Sequence, residues 1–345
     1  MILLLVEAGC SAAGEPSTRQ QVPEPAPQDA GAEDRAAPVE TPGIALRTAL
    51  VPDTAPQPVR IRLRERRETA GEGAGEFAHE LHLDLTATLT RTGVEPSGEI
   101  RAKLVLKHVK LEFGMPDRAE TMLTYDSATD EPNKGNPLAD IMTHVSDAEL
   151  SLRIGPSGRL RDLHGLDPRW RKAGLIMAPP GLLAAQWLFR DLSMRELVAE
   201  ALFPPMPAGP VRVGDAWEID VPADIPLVAR LNARVRHTLT ATATDLDGAE
   251  GPVARIKGTG RIEPAPEILE GAAPAIQPIV KTGSVRITQT VRPGSQGLAQ
   301  RSERTVEVLL TLTPPAGNDR SRMTIKQTRE LISRRGRVVG PSLAQ

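Results

Sequence analysis

Strict two-residue alternation of apolar and polar side chains, sustained over long stretches, most constrains what this chain can become. A strand turns successive side chains to opposite faces, so the pattern builds sheets with one buried face and one wet face. It is clearest in the central segment 148–166, AELSLRIGPSGRLRDLHGL. Leu150, Leu152 and Ile154 alternate with polar neighbours, Gly155-Pro156-Ser157-Gly158 supplies a turn, and Leu160, Leu163 and Leu166 carry the chain back. Proline presets φ at the second turn position, and Gly158 suits the left-handed conformation that closes a bulged hairpin.

The same period recurs on both sides. Val59, Ile61 and Leu63 alternate with arginines, and Leu81, Leu83, Leu85, Ala87 and Leu89 alternate with His82, Asp84, Thr86 and Thr88. Residues 100–113 and 121–125 complete a first meander over 59–125. A second meander over 211–333 has strands near 227–245, 253–263, 283–291, 302–313 and 323–333. Between them, 137–203 holds the hairpin and the helices. Asn136 is placed as an N-cap before Pro137, and Asp167-Pro168 repeats that signal. Gly174 is placed to end the second helix. Ser193-Met194-Arg195-Glu196 fits a capping box, which predicts a break near Ser193 in the long helical stretch 182–203. The fold expected is mainly β (α+β): long antiparallel curved sheet or sheets with a central helical segment. The two strand groups form either one continuous sheet or two domains sharing a helical junction.

Residues 11–58 are rich in Pro, Ala, Glu and Gln and show no apolar period, so they read as a disordered tether, and 334–345 as a frayed tail. Residues 1–10, MILLLVEAGC, read as the remnant of a signal peptide. Ala8-Gly9-Cys10 resembles a lipoprotein cleavage box whose cysteine is acylated. Glu7 stands where leucine is usual, and the apolar run is short, which places the true translation start upstream. Cys10 is the single cysteine, so no disulfide forms within the chain.

Composition narrows function mainly by exclusion. A formal net charge of −2 and 2% aromatic residues build neither a nucleic-acid field nor a stacking platform. His79 and His82 are the closest histidines, but on a strand their spacing points them to opposite faces, so no metal site is expected. No G-x-S-x-G elbow or phosphate loop is present, and Ser157 belongs to a hairpin turn. No catalytic residue and no cofactor are assigned. Trp170, Trp187 and Trp217 all fall in the central region. They either line a hydrophobic pocket between helices and sheet or anchor the core of a Leu/Val/Ala-rich protein, and the core reading is favoured.

The order of these features resembles an uncharacterised family of bacterial cell-envelope lipoproteins with a β-rich domain. The likeness rests on the lipobox-like cysteine, Tyr125-Asp126-Ser127, the hairpin LSLRIGPSGRLRDLHG and the segment PVRVGDAW. It implies an extracytoplasmic, mostly antiparallel β protein with no catalytic residues to carry over. Ser11 after the cysteine is not the Asp-type signal that resembles inner-membrane retention, so the expected anchor is a lipid in the outer membrane of a Gram-negative bacterium. The leading expectation is a tethered, non-enzymatic envelope module that binds a ligand or another envelope protein. The alternative is a carrier of lipid or another hydrophobic ligand resembling the half-barrel lipoprotein chaperones, with a hydrolase third.

Overall fold

The alternating segments pair as their pattern demands. The computed structural model describes residues 43–46, 55–71, 75–117, 122–132, 134–172, 183–223, 231–244, 252–262, 277–294, 296–313 and 321–337. In chain order the strands are β1 (Gln57–Gly71), β2 (Gly75–Val94), β3 (Ile100–Gly114) and β4 (Leu123–Asp126), then β5 (Glu149–Ile154) and β6 (Leu160–His164). After the helices come β7 (Ala216–Pro222), β8 (Asn232–Thr244), β9 (Pro252–Ile262), β10 (Gln277–Gly294), β11 (Gln296–Thr313) and β12 (Ser321–Arg337). The helices are α1 (Pro137–Met142), α2 (Asp167–Lys172), α3 (Leu183–Leu188) and α4 (Asp191–Leu202).

Both strand groups belong to one antiparallel sheet of twelve strands, ordered β6-β5-β3-β2-β1-β12-β11-β10-β9-β8-β7, with β4 sharing the outer edge of β3. The first and last long strands close the seam, in register from Val59 opposite Arg335 to Gly71 opposite Met323. That pairing decides between the two architectures in favour of a single sheet.

The sheet is strongly coiled. In a flat sheet β7 and β11 would lie four spacings, about 19 Å, apart. Yet the Arg304 guanidinium on β11 donates to the Pro222 carbonyl on β7 at 3.0 Å. Residues beside the two outermost strands, Leu160 on β6 and Trp217 on β7, also line one cavity. Extra residues at Lys107, Thr240 and Lys281 shift the register between neighbouring strands. Such bulges locally increase twist and bend the strand that carries them. Gly260 on β9 marks a close approach, because a Cβ there would run into the Arg234 carbonyl and the Val235 side chain.

The helices fill the concave side of the first strand group. One core joins Leu63, Leu85, Leu104 and Leu152 of the sheet to Met142, Phe189, Leu197 and Val198 of the helical segment. The second strand group carries two smaller clusters. One is built on Val235, Val285 and Leu310, the other on Leu239, Ile256 and Val291.

The hairpin forms as its sequence predicts. Leu150, Leu152 and Ile154 are buried, and Gly158 has φ 73°. The Asn136 carboxamide oxygen accepts from the Leu138 amide at 3.0 Å, which confirms that cap. Two expectations need correction. The break in the long helical stretch falls at Phe189-Arg190, and Ser193 is buried inside α4. Two carboxylates set it there, since Asp191 accepts from the Leu166 amide at 2.7 Å and Asp167 accepts from Arg190 at 2.7 Å. The segment 11–58 is also not tether throughout. Ile44 bridges Val211, Leu46 is buried against Val211, Leu239 and Ile256, and β1 already begins at Gln57. Cys10, Gly174 and the tail beyond 337 lie outside the described residues.

Candidate functional site

Register places a distinct row of side chains across the inner face of the sheet. Trp217 lies opposite His237, His237 opposite Gly258, and Gly258 opposite Ile287. The row continues through Arg304, Arg329 and Glu65. Along each strand these residues share the phase of neighbours such as Val235, Val306, Leu331 and Leu63, so alternation turns them inward. His237, Ile287, Arg304 and Glu65 are buried with those neighbours, Glu65 at 6% and Arg304 at 5% exposure, while Trp217 and Arg329 are half-buried.

Two arginines directly opposite one another on a sheet repel. Here α4 supplies the counter-charge. Glu200 Oε2 accepts from Arg329 Nη1 at 3.0 Å and lies 3.5 Å from Arg304 Nη1. Glu65 Oε2 accepts from Arg329 Nε at 3.1 Å and Nη2 at 2.9 Å, while Arg67 lies 3.4 Å from Glu65 Oε1. Burial alone would push both carboxyls up. The guanidiniums of Arg329 and Arg67 around Glu65, and of Arg304 and Arg329 around Glu200, more than offset it and hold both below the usual carboxylate range. Burial pushes Arg304 down, whereas for Arg329 the two glutamates outweigh it.

The same face satisfies the carbonyls at the end of α4, which have no partner within the helix. Gln300 Nε2 donates to the Glu200 and Ala201 carbonyls at 2.5 and 2.7 Å, and Ser333 Oγ donates to Ala201 at 2.6 Å. Gln289 in turn donates to Gln300 Oε1 at 2.6 Å. The Arg335 guanidinium stacks over the Phe203 ring at 5.1 Å, and burial pushes its pKa down to about 10. The polar row is therefore largely spent on fastening α4 across the sheet.

Beside it lies a cavity of about 440 Å³. Trp187, Leu197, Phe203 and Met206 form its helical wall, while Trp217 and Ile287 form its sheet wall, with Arg304, Arg329 and Glu200 at one side. Of the three tryptophans, Trp187 and Trp217 reach the cavity. Trp170 is core, its indole Nε1 donating to the Phe189 carbonyl at 2.8 Å. His79 and His82 are separated as their spacing requires, His79 stacked on Phe113 and His82 facing Glu112 at 3.4 Å. Among the described residues no group of three His, Cys, Asp or Glu side chains could hold a metal ion. Glu65, Glu200, Arg304 and Arg329 were not among the residues singled out in the sequence. Their signal was one of phase, since in 323–333 Arg329 keeps step with Ile325 and Leu331.

His237 gives this wall a pH dependence. Its ring stacks on Trp217, with centroids 5.8 Å apart. Burial pushes the imidazole below its ordinary value, against a smaller opposing pull from the Val235 backbone, and burial followed by the charge of Arg67 also lowers His79. A histidine held neutral in the fold contributes stability that is full above its unfolded pKa, ~6.5, and is lost as pH falls through that value. Denaturation midpoints are expected to fall as pH drops from 7 toward 5, and His237→Gln should flatten that slope to the part left by His79. An unchanged slope in the variant would contradict the assignment.

No family model and no curated protein matches the chain. Among solved structures it is similar to lipovitellin, described with its lipid–protein interactions, at a TM-score of 0.35 and 10% identity. That similarity covers 84% of this chain, which spans 27% of the lipovitellin chain. It is similar to DynF from the dynemicin biosynthesis pathway of Micromonospora chersina at a TM-score of 0.16 and 10% identity, covering 89% of this chain and 95% of that one. For Pseudomonas aeruginosa OpdQ the TM-score is 0.17 and the identity 8%, over 81% of this chain and 98% of that one. TM-scores of this size carry no functional argument, so the site has to speak for itself.

Proposed function

We propose that this chain is a non-enzymatic binding module of the bacterial cell envelope that carries a hydrophobic or amphipathic small molecule between α4 and the sheet. The observation that carries the reading is the cavity of about 440 Å³ walled by Trp187, Leu197, Phe203, Trp217 and Ile287. Its size lies in the range of small-molecule sites, whose walls are mostly apolar with a few placed polar groups. The helices fill the concave side of the first strand group, and this space lies between α4 and the second group, reaching Leu63 and Leu160 of the first. Arg304, Arg329 and Glu200 at its side are engaged in holding α4 to the sheet. The lipobox-like Ala8-Gly9-Cys10 and the Pro/Ala-rich segment after it support acylation at Cys10 and a tether to the outer membrane.

Native mass spectrometry of the gently purified full chain tests the reading. A stoichiometric adduct that extracts into organic solvent is expected. Ile287→Trp, which fills the space from the sheet side, should lose the adduct while keeping the β-type circular dichroism. A clean apo mass for the unaltered protein would overturn the carrier reading. The same intact mass reports the anchor, since a mature chain beginning at an acylated Cys10 is expected and an unmodified Cys10 would remove it.

A further inference from the structure

The outer face of the second strand group carries a concentration of charge that the rest of that face does not. Arg234 and Arg236 on β8, Arg255, Lys257 and Arg261 on β9, and Arg286 on β10 are all exposed. Register sets Arg234 directly opposite Arg261, and Thr259 between Arg236 and Arg286. Same-face neighbours in an antiparallel sheet stand ~5 Å apart across the strands and ~7 Å apart along them, so these cations form a continuous array. Asp220 on β7 reaches Arg234 at 3.4 Å. Glu218 stands opposite Arg236 in register without forming an ion pair. Among the described residues Arg236, Arg255, Lys257, Arg261 and Arg286 have no ion-pair partner.

Elsewhere on this face the charges are interleaved. Arg60 and Arg62 meet Asp84, Arg66 meets Glu68 and Glu80, and Arg301 meets Glu303 and Glu330. Among the described residues, single cations without an ion pair also stand elsewhere, Arg64 on β1, Lys107 on β3 and Arg322 on β12, but only β8 to β10 bring five of them onto adjacent strands. Like charges directly opposite one another destabilise a sheet, so the array carries a cost that an anionic partner would relieve. The face has threonines, Thr238, Thr259 and Thr288, and no aromatic side chain among its described positions on β8 to β10. It offers bases nothing to stack on, which disfavours single-stranded nucleic acid. A two-dimensional array of separate cations without a pocket matches a plane of separate anions.

We infer that the outer face of β8, β9 and β10 docks onto an anionic lipid surface, with Arg236, Arg261 and Arg286 at its centre. This contact is independent of the cavity and of what the cavity holds. It is tested on the full chain carrying Cys10→Ser, which removes any acyl anchor, by co-sedimentation with vesicles. Binding is expected to vesicles of two parts phosphatidylcholine to one part phosphatidylglycerol and not to phosphatidylcholine alone. It should fade as salt rises from about 0.05 to 0.5 M and the Debye length shortens. The triple variant Arg236→Gln/Arg261→Gln/Arg286→Gln should lower partitioning roughly a hundredfold, about fivefold per charge for ~1 kcal/mol each. Arg60→Gln/Arg62→Gln/Arg66→Gln removes as many charges from the interleaved part of the same face and should leave binding within about twofold, because those cations are already paired. Equal losses in the two triples would overturn the inference, as would equal binding to neutral vesicles, or retention on heparin with no vesicle binding. Loss of the ligand adduct with vesicle binding intact would count against the carrier reading alone.

Discussion

Arg329→Met is expected to destabilise the fold by about 3–5 kcal/mol, the usual cost of removing one partner from a buried ion pair. The guanidinium holds Glu65 from the sheet and Glu200 from α4 at once. Without it, Glu65 keeps the 3.4 Å contact from Arg67 and a pull from Gln327, and Glu200 keeps the 3.5 Å contact from Arg304. A methionine matches the volume but supplies no donor, so the penalty is that of carboxylates left short of donors, Glu65 buried and Glu200 half-buried beside the cavity, rather than of a lost salt bridge as such. Guanidinium chloride unfolding measures it, and a loss below about 1 kcal/mol would show that water reaches the cluster. Removing both ends of the tightest pair, in Glu65→Leu/Arg329→Met, should recover part of the loss, because an apolar pair often replaces a buried ion pair at little cost.

The same cluster sets behaviour in acid. Glu65 and Glu200 are held below their ordinary values, so their contribution is complete above the unfolded carboxylate pKa, ~4.3, and is lost as pH falls through their lower folded values. That loss begins below the window in which His237 acts. The two can therefore be separated on one pH series, and Arg329→Met should remove most of the acid limb while leaving the slope near pH 6.

How much of this was legible in the sequence follows from the range of each interaction. The faces of β1, β2 and β5 were readable because every second residue obeys one rule. Which strands neighbour one another was not, because the seam joins Leu63 to Leu331 across most of the chain. Ile44 and Leu46 form an apolar island too short for any period, and Val211 gives them their place. The capping box at Ser193 was a sound local signal, overridden by Asp167 and Asp191 reaching each other through tertiary structure. The polar row was readable in principle, since Arg304 keeps step with Val306 and Arg329 with Leu331, but its counter-ion Glu200 comes from a helix more than a hundred residues earlier. A cavity has no sequence signature of its own, because it is the space that several distant segments fail to fill.

The tryptophans divide along the same line, and the division can be measured. Trp170→Ala is expected to cost about 3–5 kcal/mol, as large-to-small changes of buried aromatics do. The residue is 3% exposed and its ring meets His144 edge-on at 6.4 Å. Its indole N–H also satisfies the Phe189 carbonyl at the break between α3 and α4. Trp170→Phe keeps most of the volume and loses that donor, so it should cost less, ~1–3 kcal/mol. Trp187 and Trp217 are only partly buried and give one side of their surface to the cavity. Alanine at either should cost stability less than at Trp170 while releasing whatever the cavity holds, read as loss of the adduct by native mass spectrometry. If Trp170→Ala released the ligand without destabilising the fold, or if Trp217→Ala cost as much stability as Trp170→Ala, the partition into one core anchor and two cavity walls would fail. The expected outcome separates the two roles because a core tryptophan acts on the folded state as a whole, whereas a cavity wall acts mainly on the bound state.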